Sequence, residues 1–268
     1  MNAPETASSA PCPGVDRVNV LGVGVSALNL DRATELVIAA GRGDRKAGYV
    51  TVTGVHGVSE AQEDDGFRRI LNRSYICTPD GMPLSWVGWY YGHREMDRVY
   101  GPDLMLRVFD EGRAAGLKHY FYGGREGVAD QLKARLEERF PGARVVGTFC
   151  PPFRPLNEDE EAALRREIAT LQPDLLWVGL STPKQERFMA AYEHKLDVKV
   201  MLSVGAAFDF HAGLVPQAPG WMQRAGLEWL YRLVCEPRRL WKRYFKNNPL
   251  FLWRITRQLM GKRFDLDS

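Results

Sequence analysis

Lys118-His119-Tyr120-Phe121-Tyr122-Gly123-Gly124-Arg125-Glu126 reads as an apolar strand running into a glycine turn, and helical spacing over Val128–Phe140 follows it. The same unit recurs downstream. A strand at Arg144–Thr148 leads to a helix at Glu158–Leu171. A strand at Leu175–Leu180 enters Ser181-Thr182-Pro183-Lys184-Gln185-Glu186 and a helix through about Lys195. A strand at Val198–Val204 ends in Gly205-Ala206-Ala207-Phe208-Asp209. Strands alternating with helices predict a parallel sheet with right-handed crossovers, and in such sheets ligands collect at the carboxyl ends of the strands. Three turns, at Gly123-Gly124, Ser181–Glu186 and Gly205–Asp209, are therefore expected to face one crevice. Glycines permit close backbone approach and helix N-termini offer free N–H groups, so a nucleotide diphosphate is the natural occupant.

Upstream the pattern is less regular. Arg17–Val23 is a short apolar run, Asp31 is placed to cap a helix through about Ala40, and Tyr49–Val55 reads as a second strand. Ser59–Asn72 has helical spacing, Ser74–Cys77 is extended, and Thr78-Pro79-Asp80-Gly81-Met82-Pro83 is punctuated as a loop. Gly22-Val23-Gly24-Val25-Ser26-Ala27 fits the dinucleotide fingerprint G-x-G-x-x-A. That fingerprint needs a helix opening inside the glycine run, whereas Val23 and Val25 favour extended backbone. A nicotinamide oxidoreductase is accordingly the weaker alternative.

Composition narrows the class further. The chain has 268 residues, 45% hydrophobic and 26% charged, enough for a sizeable core. Cys12, Cys77, Cys150 and Cys235 are far apart with no CxxC pair, which predicts reduced cysteines and no zinc site. No long uncharged apolar run and no basic-apolar leader is found, so neither a membrane span nor a secretory signal is expected. The charge is uneven. Residues 224–263 hold 11 Lys/Arg against Glu228 and Glu236, while residues 1–223 hold 25 against 29 acids. Aromatics interleave with this basic tail, as in a helix lying on anionic lipid, with each cation contributing on the order of 1 kcal/mol. Single-stranded nucleic acid is the rival partner, and no nucleic-acid motif accompanies it.

Asp80, beside Pro79 and Gly81 after an apolar strand, is placed for a general base removing a proton from an acceptor hydroxyl. Arg94 and Arg98 offer guanidinium groups suited to phosphate, although their spacing also fits a solvated surface.

Six blocks in this order resemble the WecG/TagA/CpsF glycosyltransferases, glycosyltransferase family 26. They are Thr78–Pro83 followed by Arg98-Val99-Tyr100-Gly101-Pro102-Asp103-Leu104, then Tyr122-Gly123-Gly124, and Gly179 with Pro183–Glu186. Val204–Asp209 and Gly226–Arg232 with Glu236–Arg239 complete the set, which spans about residues 17 to 245. The resemblance implies an inverting, metal-independent transfer, with no cofactor, from a nucleotide sugar, commonly a UDP-sugar. The acceptor is a polyprenyl-pyrophosphate-linked saccharide in exopolysaccharide or cell-wall polymer synthesis. It implies a Rossmann-like parallel sheet with flanking helices, a smaller N-terminal α/β part and a basic helical C-terminal appendage. Carried over residue by residue, Asp80 resembles the catalytic base, and Arg98 and Gln185 resemble active-site residues that hold donor or acceptor. Gly81, Met82, Gly123, Gly124, Pro183, Lys184, Glu186, Gly205, Phe208 and Asp209 fall in substrate-binding blocks, and Arg232, Arg238 and Arg239 reach from the appendage toward lipid pyrophosphate.

The implied organisation is a disordered segment over 1–14, a catalytic core over 15–223 and an appendage over 224–268. Within the core an acceptor half covers about 15–116 and a nucleotide-binding half about 117–223. The place of action would be the cytoplasmic face of the plasma membrane, peripherally bound, with self-association into a homo-oligomer left open. Two positions depart from the family pattern. Gly54 stands where many members carry Asn, with Thr53 or His56 as replacements for the lost polar contact, and Gln217 precedes Ala218-Pro219 where many carry Arg. A non-catalytic lipid- or nucleic-acid-binding module is the remaining alternative.

Overall fold

The computed structural model describes residues 10–266. Arg17–Val20 (β1) and Val23–Ser26 (β2) form an antiparallel hairpin, with Leu21 and Gly22 at positive φ between them. The single strand expected over 17–23 is therefore two, and the G-x-G-x-x-A glycines sit in this hairpin and open no helix. Leu30–Arg42 (α1) follows, and its N-cap is Asn29, whose side chain accepts from Arg32 N at 3.0 Å; the expected cap, Asp31, lies inside the first turn. Gly48–Thr53 (β3) precedes Val55–Glu60 (α2) and Asp65–Arg73 (α3). The one helix expected over 59–72 is broken because Asp64 caps a new start through its side chain on Phe67 N.

Ile76–Pro79 (β4) runs into Met82–Tyr90 (α4), with Pro83 in its first turn, so the expected loop shrinks to Asp80 and Gly81. Gly101–Glu111 (α5) leads to Lys118–Gly123 (β5) and Val128–Arg139 (α6). Arg144–Phe149 (β6), Glu158–Leu171 (α7), Leu175–Gly179 (β7), Lys184–Tyr192 (α8) and Val200–Ser203 (β8) continue the alternation. The chain then becomes helical, through Ala207–His211 (α9), Gly220–Arg224 (α10), Glu228–Cys235 (α11) and Pro237–Leu259 (α12).

The expected parallel sheet is present, six strands in the order β4-β3-β8-β7-β5-β6. Its central strands are buried on both faces, which is why they read as near-continuous apolar runs. Alternation divides them all the same. Trp177, Leu202 and Phe121 point into a cluster covered by α1, α5 and α6, while Val178, Met201 and Tyr122 point into one covered by α7 and α8. A third cluster joins the hairpin to α3, α4 and the far half of α12 through Val18, Val25, Phe67, Leu84, Phe251 and Ile255. The first nine residues of the segment expected to be disordered lie outside the described residues. Cys12 is buried and donates its N–H to Tyr75 O at 2.8 Å. All four cysteines are free.

Register aligns the functional turns. Thr53 pairs with Pro79, Thr51 with Ser203, and Gly123 with Gly179, so β3, β4, β8, β7 and β5 end along one edge. Gly123 has φ +126°, and a Cβ there would fall 2.7 Å from the Gly179 carbonyl carbon; only glycine closes this pair of strands so tightly.

Candidate active site

A cleft of about 1280 Å³ opens along that edge. Asp80 sits at its floor. The Asp80 N–H is held by Thr53 O at 2.8 Å, and Val99 N–H on Pro79 O at 2.8 Å lays the Arg98–Tyr100 segment alongside. Arg98 spans the gap to the appendage. Its Nη1 donates to Gln223 Oε1 at 3.0 Å, its Nη2 to Glu228 Oε2 at 2.7 Å, and its guanidinium lies 4.0 Å over the Tyr100 ring. Arg232, one turn beyond Glu228 on α11, lines the same space, with its guanidinium 5.6 Å from the Phe210 ring.

The electrostatics favour a base here. Burial first, then the Glu228 charge, raises the Asp80 carboxyl from 3.8 to about 7, against the opposing pull of Arg98 and Arg232. Burial works against the Arg232 charge, yet Tyr244, Tyr100, Glu228 and Asp80 outweigh it and hold its pKa above the ordinary value. Among the described residues the cleft is lined by seven Lys/Arg side chains and four Asp/Glu side chains, an excess suited to phosphate.

Gln185 enters from the opposite wall. It is buried, and its Nε2 donates to Glu186 Oε1 at 2.9 Å, which leaves Oε1 buried with no protein donor among the described residues. An unmatched buried acceptor costs about 1–3 kcal/mol, a burden characteristic of binding edges. His56 lines the cleft beside α12, its Nδ1 2.9 Å from Asn247 Nδ2, and burial followed by the Arg243 charge lowers its pKa to about 4. It is neutral at pH 7.

The structure thus brings Asp80, Arg98, Gln185, His56, Gly81, Met82, Gly124, Lys184, Gly205, Phe208, Asp209 and Arg232 to one cleft. Thr53 and Glu186 are buried behind the wall, Gly123 and Pro183 shape the turns beneath it, and Arg238 is exposed at the start of α12. The side chain of Arg239 lies outside what is described. Sequence reasoning named none of Tyr100, Gln223, Glu228 or Tyr244 as a site residue, although Tyr100 and Glu228 fall in the family blocks and Tyr244 in the aromatic tail; all four line the cleft. The available signal was Glu228, one of only two acids among the basic residues of 224–263.

Residues 18–265 match the model of the Glycosyl transferase WecG/TagA/CpsF family. The chain belongs to that family. It is a glycosyltransferase, and its curated relatives include N-acetylglucosaminyldiphosphoundecaprenol N-acetyl-beta-D-mannosaminyltransferases. The protein of Bacillus subtilis (strain 168) is 27% identical over 201 residues, 75% of this chain and 76% of that one. The protein of Bacillus spizizenii (strain ATCC 23059 / NRRL B-14472 / W23) is 30% identical over 184 residues, 69% of each chain. That of Staphylococcus aureus (strain MRSA252) is 24% identical over 202 residues, 75% of this chain and 76% of that one.

At Gly54 the backbone leaves no room for a side chain. A Cβ at Gly54 would lie 2.6 Å from the Asp80 carbonyl oxygen and 3.7 Å from its Oδ2. A side chain at 54 therefore requires the Asp80 backbone to take another course. Gly54→Asn is expected to displace the carboxylate and lower kcat by roughly 10–100-fold, since ångström-scale misplacement costs up to about that much. Steady-state kinetics beside a thermal melt checks this, and parental kcat in the variant would refute it. Gln217 Nε2 is buried without a partner among the described residues, off the cleft wall.

Proposed function

We propose that this enzyme moves a sugar from a UDP-sugar to a hydroxyl of a saccharide carried on polyprenyl diphosphate, with inversion, in exopolysaccharide or cell-wall polymer synthesis. The observation that carries the reading is Asp80, a carboxyl poised near neutrality between the glycine-turn edge and the arginines of the appendage. The donor diphosphate lies along Gly124, Lys184 and Gly205. The acceptor hydroxyl approaches from the side of Arg98 and Arg232. Asp80 takes the hydroxyl proton as the oxygen attacks the donor's anomeric carbon from the face opposite the nucleotide. The carbon–oxygen bond to the diphosphate breaks, and guanidinium groups and backbone N–H groups hold the charge that develops. One base suffices for inversion, because no covalent sugar intermediate forms.

The acceptor's lipid explains the rest of the surface. No helix among the described residues is long and apolar enough to cross a membrane. Instead α11 and α12, which supply Glu228, Trp229, Arg232, Arg243 and Tyr244 to the cleft, expose Trp241, Phe245, Leu252, Trp253 and Val234 on their outer sides. Exposed aromatics beside Lys and Arg fit peripheral binding at an anionic leaflet, taken here as the cytoplasmic one. Replacing Trp241, Phe245 and Trp253 together by Ser is expected to weaken binding to anionic liposomes at least ~10-fold with the melting temperature unchanged, since each exposed ring buries apolar surface on insertion. Equal sedimentation of parent and variant with liposomes would refute the membrane assignment.

The reading as a whole is tested by thermal shift with UDP-, GDP- and dTDP-sugars and NAD(H), followed by transfer to short-chain prenyl-diphosphate saccharides. Stabilisation by UDP-sugars and product formation support it. Stabilisation by NAD(H) alone would revive the oxidoreductase alternative.

A further inference from the structure

Glu228 has no part in the transfer step, yet it lines the cleft. Its side chain is only 17% exposed and its carboxylate accepts from Arg98 Nη2 at 2.7 Å, while the Arg98 side chain is 12% exposed. The Tyr100 hydroxyl also bonds to Glu228. Gln223, at the end of the preceding helix, takes the other terminal nitrogen of Arg98 at 3.0 Å. Asp103 stands further off, 3.9 Å from Arg98 Nη1. Arg98 is thus gripped by two residues of the 220–235 segment and laid over Tyr100. A long, four-torsion side chain is thereby held in one place.

We propose that Glu228 is a positioning residue: carried by the appendage, it clamps Arg98 across the cleft and so makes the geometry around Asp80 depend on the seating of α11. The proposal rests on the glycosyl-transfer reading for its kinetic consequence but not for its structural one. The clamp ties the segment before α5 to α10 and α11, and that segment is itself fastened to the end of β4 through Val99 N–H on Pro79 O at 2.8 Å. A guanidinium held by a carboxylate and a carboxamide presents its remaining face in a fixed plane, the arrangement required for bidentate contact with a phosphate or a sugar hydroxyl. The charge of Glu228 also acts on Asp80 directly. The groups that face Asp80 are Glu228 and Arg232 of α11, Arg98 and Tyr100 of the segment before α5, Asp103 of α5 and Tyr244 of α12. Of these Glu228 has the largest influence after burial itself, and it favours the protonated carboxyl.

Removing the charge has effects of one sign. Glu228→Gln deletes a repulsive neighbour of the Asp80 carboxylate and frees Arg98 to move toward it, and each change lowers the pH at which Asp80 ionises. The experiment compares the parent, Glu228→Gln and Glu228→Asp by two readouts. The first is carboxyl 13C NMR of aspartate-labelled protein, with the Asp80 signal assigned by its loss in Asp80→Asn. The second is the pH profile of kcat. For Glu228→Gln the Asp80 midpoint is expected to fall by about one unit, the size of one close charge. Its kcat at the plateau is expected to fall about 10–100-fold, and Glu228→Asp should restore most of the midpoint.

A Glu228→Gln protein with an unmoved Asp80 midpoint would overturn the proposal. So would kcat equal to or above the parent's, since the hold of Glu228 on Arg98 would then contribute nothing to turnover. If Glu228→Gln melts early, the NMR titration is run below its melting temperature, where the same Asp80 midpoint decides. If no sugar nucleotide is turned over by the parent, the function reading fails while the NMR titration still judges the clamp.

Discussion

Asp80→Asn is expected to transfer sugar 10²–10⁴-fold more slowly than the parent, roughly the contribution of a positioned general base, while retaining its fold. The pH dependence follows from the same carboxyl. A base must be ionised to act, so kcat/KM of the free enzyme rises with pH and reaches half its limit near pH 7, the value to which burial and Glu228 bring Asp80. Stability responds in the opposite direction. A carboxyl whose folded value lies above its ordinary 3.8 favours the folded state most when protonated, and its contribution is lost as pH rises toward 7. At pH 8 the amide of Asp80→Asn removes an unfavourable charge, and the melting temperature is expected to equal or exceed the parent's. Kinetics on purified variant and parent, with melts at pH 8, provide the check. Turnover within a few-fold of the parent would remove Asp80 from the role.

Deleting residues from Pro237 onward is expected to cost the enzyme its cooperative fold, beyond any loss of membrane binding. One side of α12 is core. Leu240, Phe251 and Ile255 are buried, the last two in the cluster that supports the hairpin and α3. Three such side chains contribute roughly 5–9 kcal/mol of burial, comparable with the whole stability of a domain, about 5–15 kcal/mol. Polar ties are lost with them. Gln258 accepts from Leu21 N at 2.7 Å and donates to Asn19 O at 2.7 Å, so its removal strands two backbone groups of the β1–β2 turn. The expected result is a truncated protein that binds a hydrophobic dye and melts without a sharp transition. A cooperative melt at the parental temperature would show that α12 is dispensable to the core. This is why the membrane assignment is tested by outward-facing substitutions in a full chain.

Residues 117–209 disclosed the fold because their strands are buried on both sides. A continuous apolar run such as Leu175–Val178 followed by Gly179 has one good solution, a central parallel strand with a turn at its carboxyl end. Nearer the N-terminus short-range competition decided matters that composition does not display. Leu21-Gly22 turns the chain at positive φ and makes a hairpin of one apolar run, and Asp64 starts a second helix within a spacing that reads as one. In the tail, aromatic and basic residues alternate with no mark to separate those that pack from those that face out. Phe251 is buried and its neighbour Leu252 exposed, and only the docking of α12 on the hairpin distinguishes them.

The sequence by itself determined the α/β class, the glycine turns at the sheet edge, Asp80 as the acid in an unusual loop, and a cationic aromatic tail. These follow from local rules, in which a residue type at a given spacing has few low-energy uses. What only the tertiary structure decided is how Asp80 comes to ionise near neutrality and how Arg98 is held. Both depend on Glu228, 148 positions beyond Asp80 in the chain, brought beside it when the appendage folds back across the cleft. Charge interactions depend on distance in space, and no pattern along the chain encodes that distance until the helices have packed.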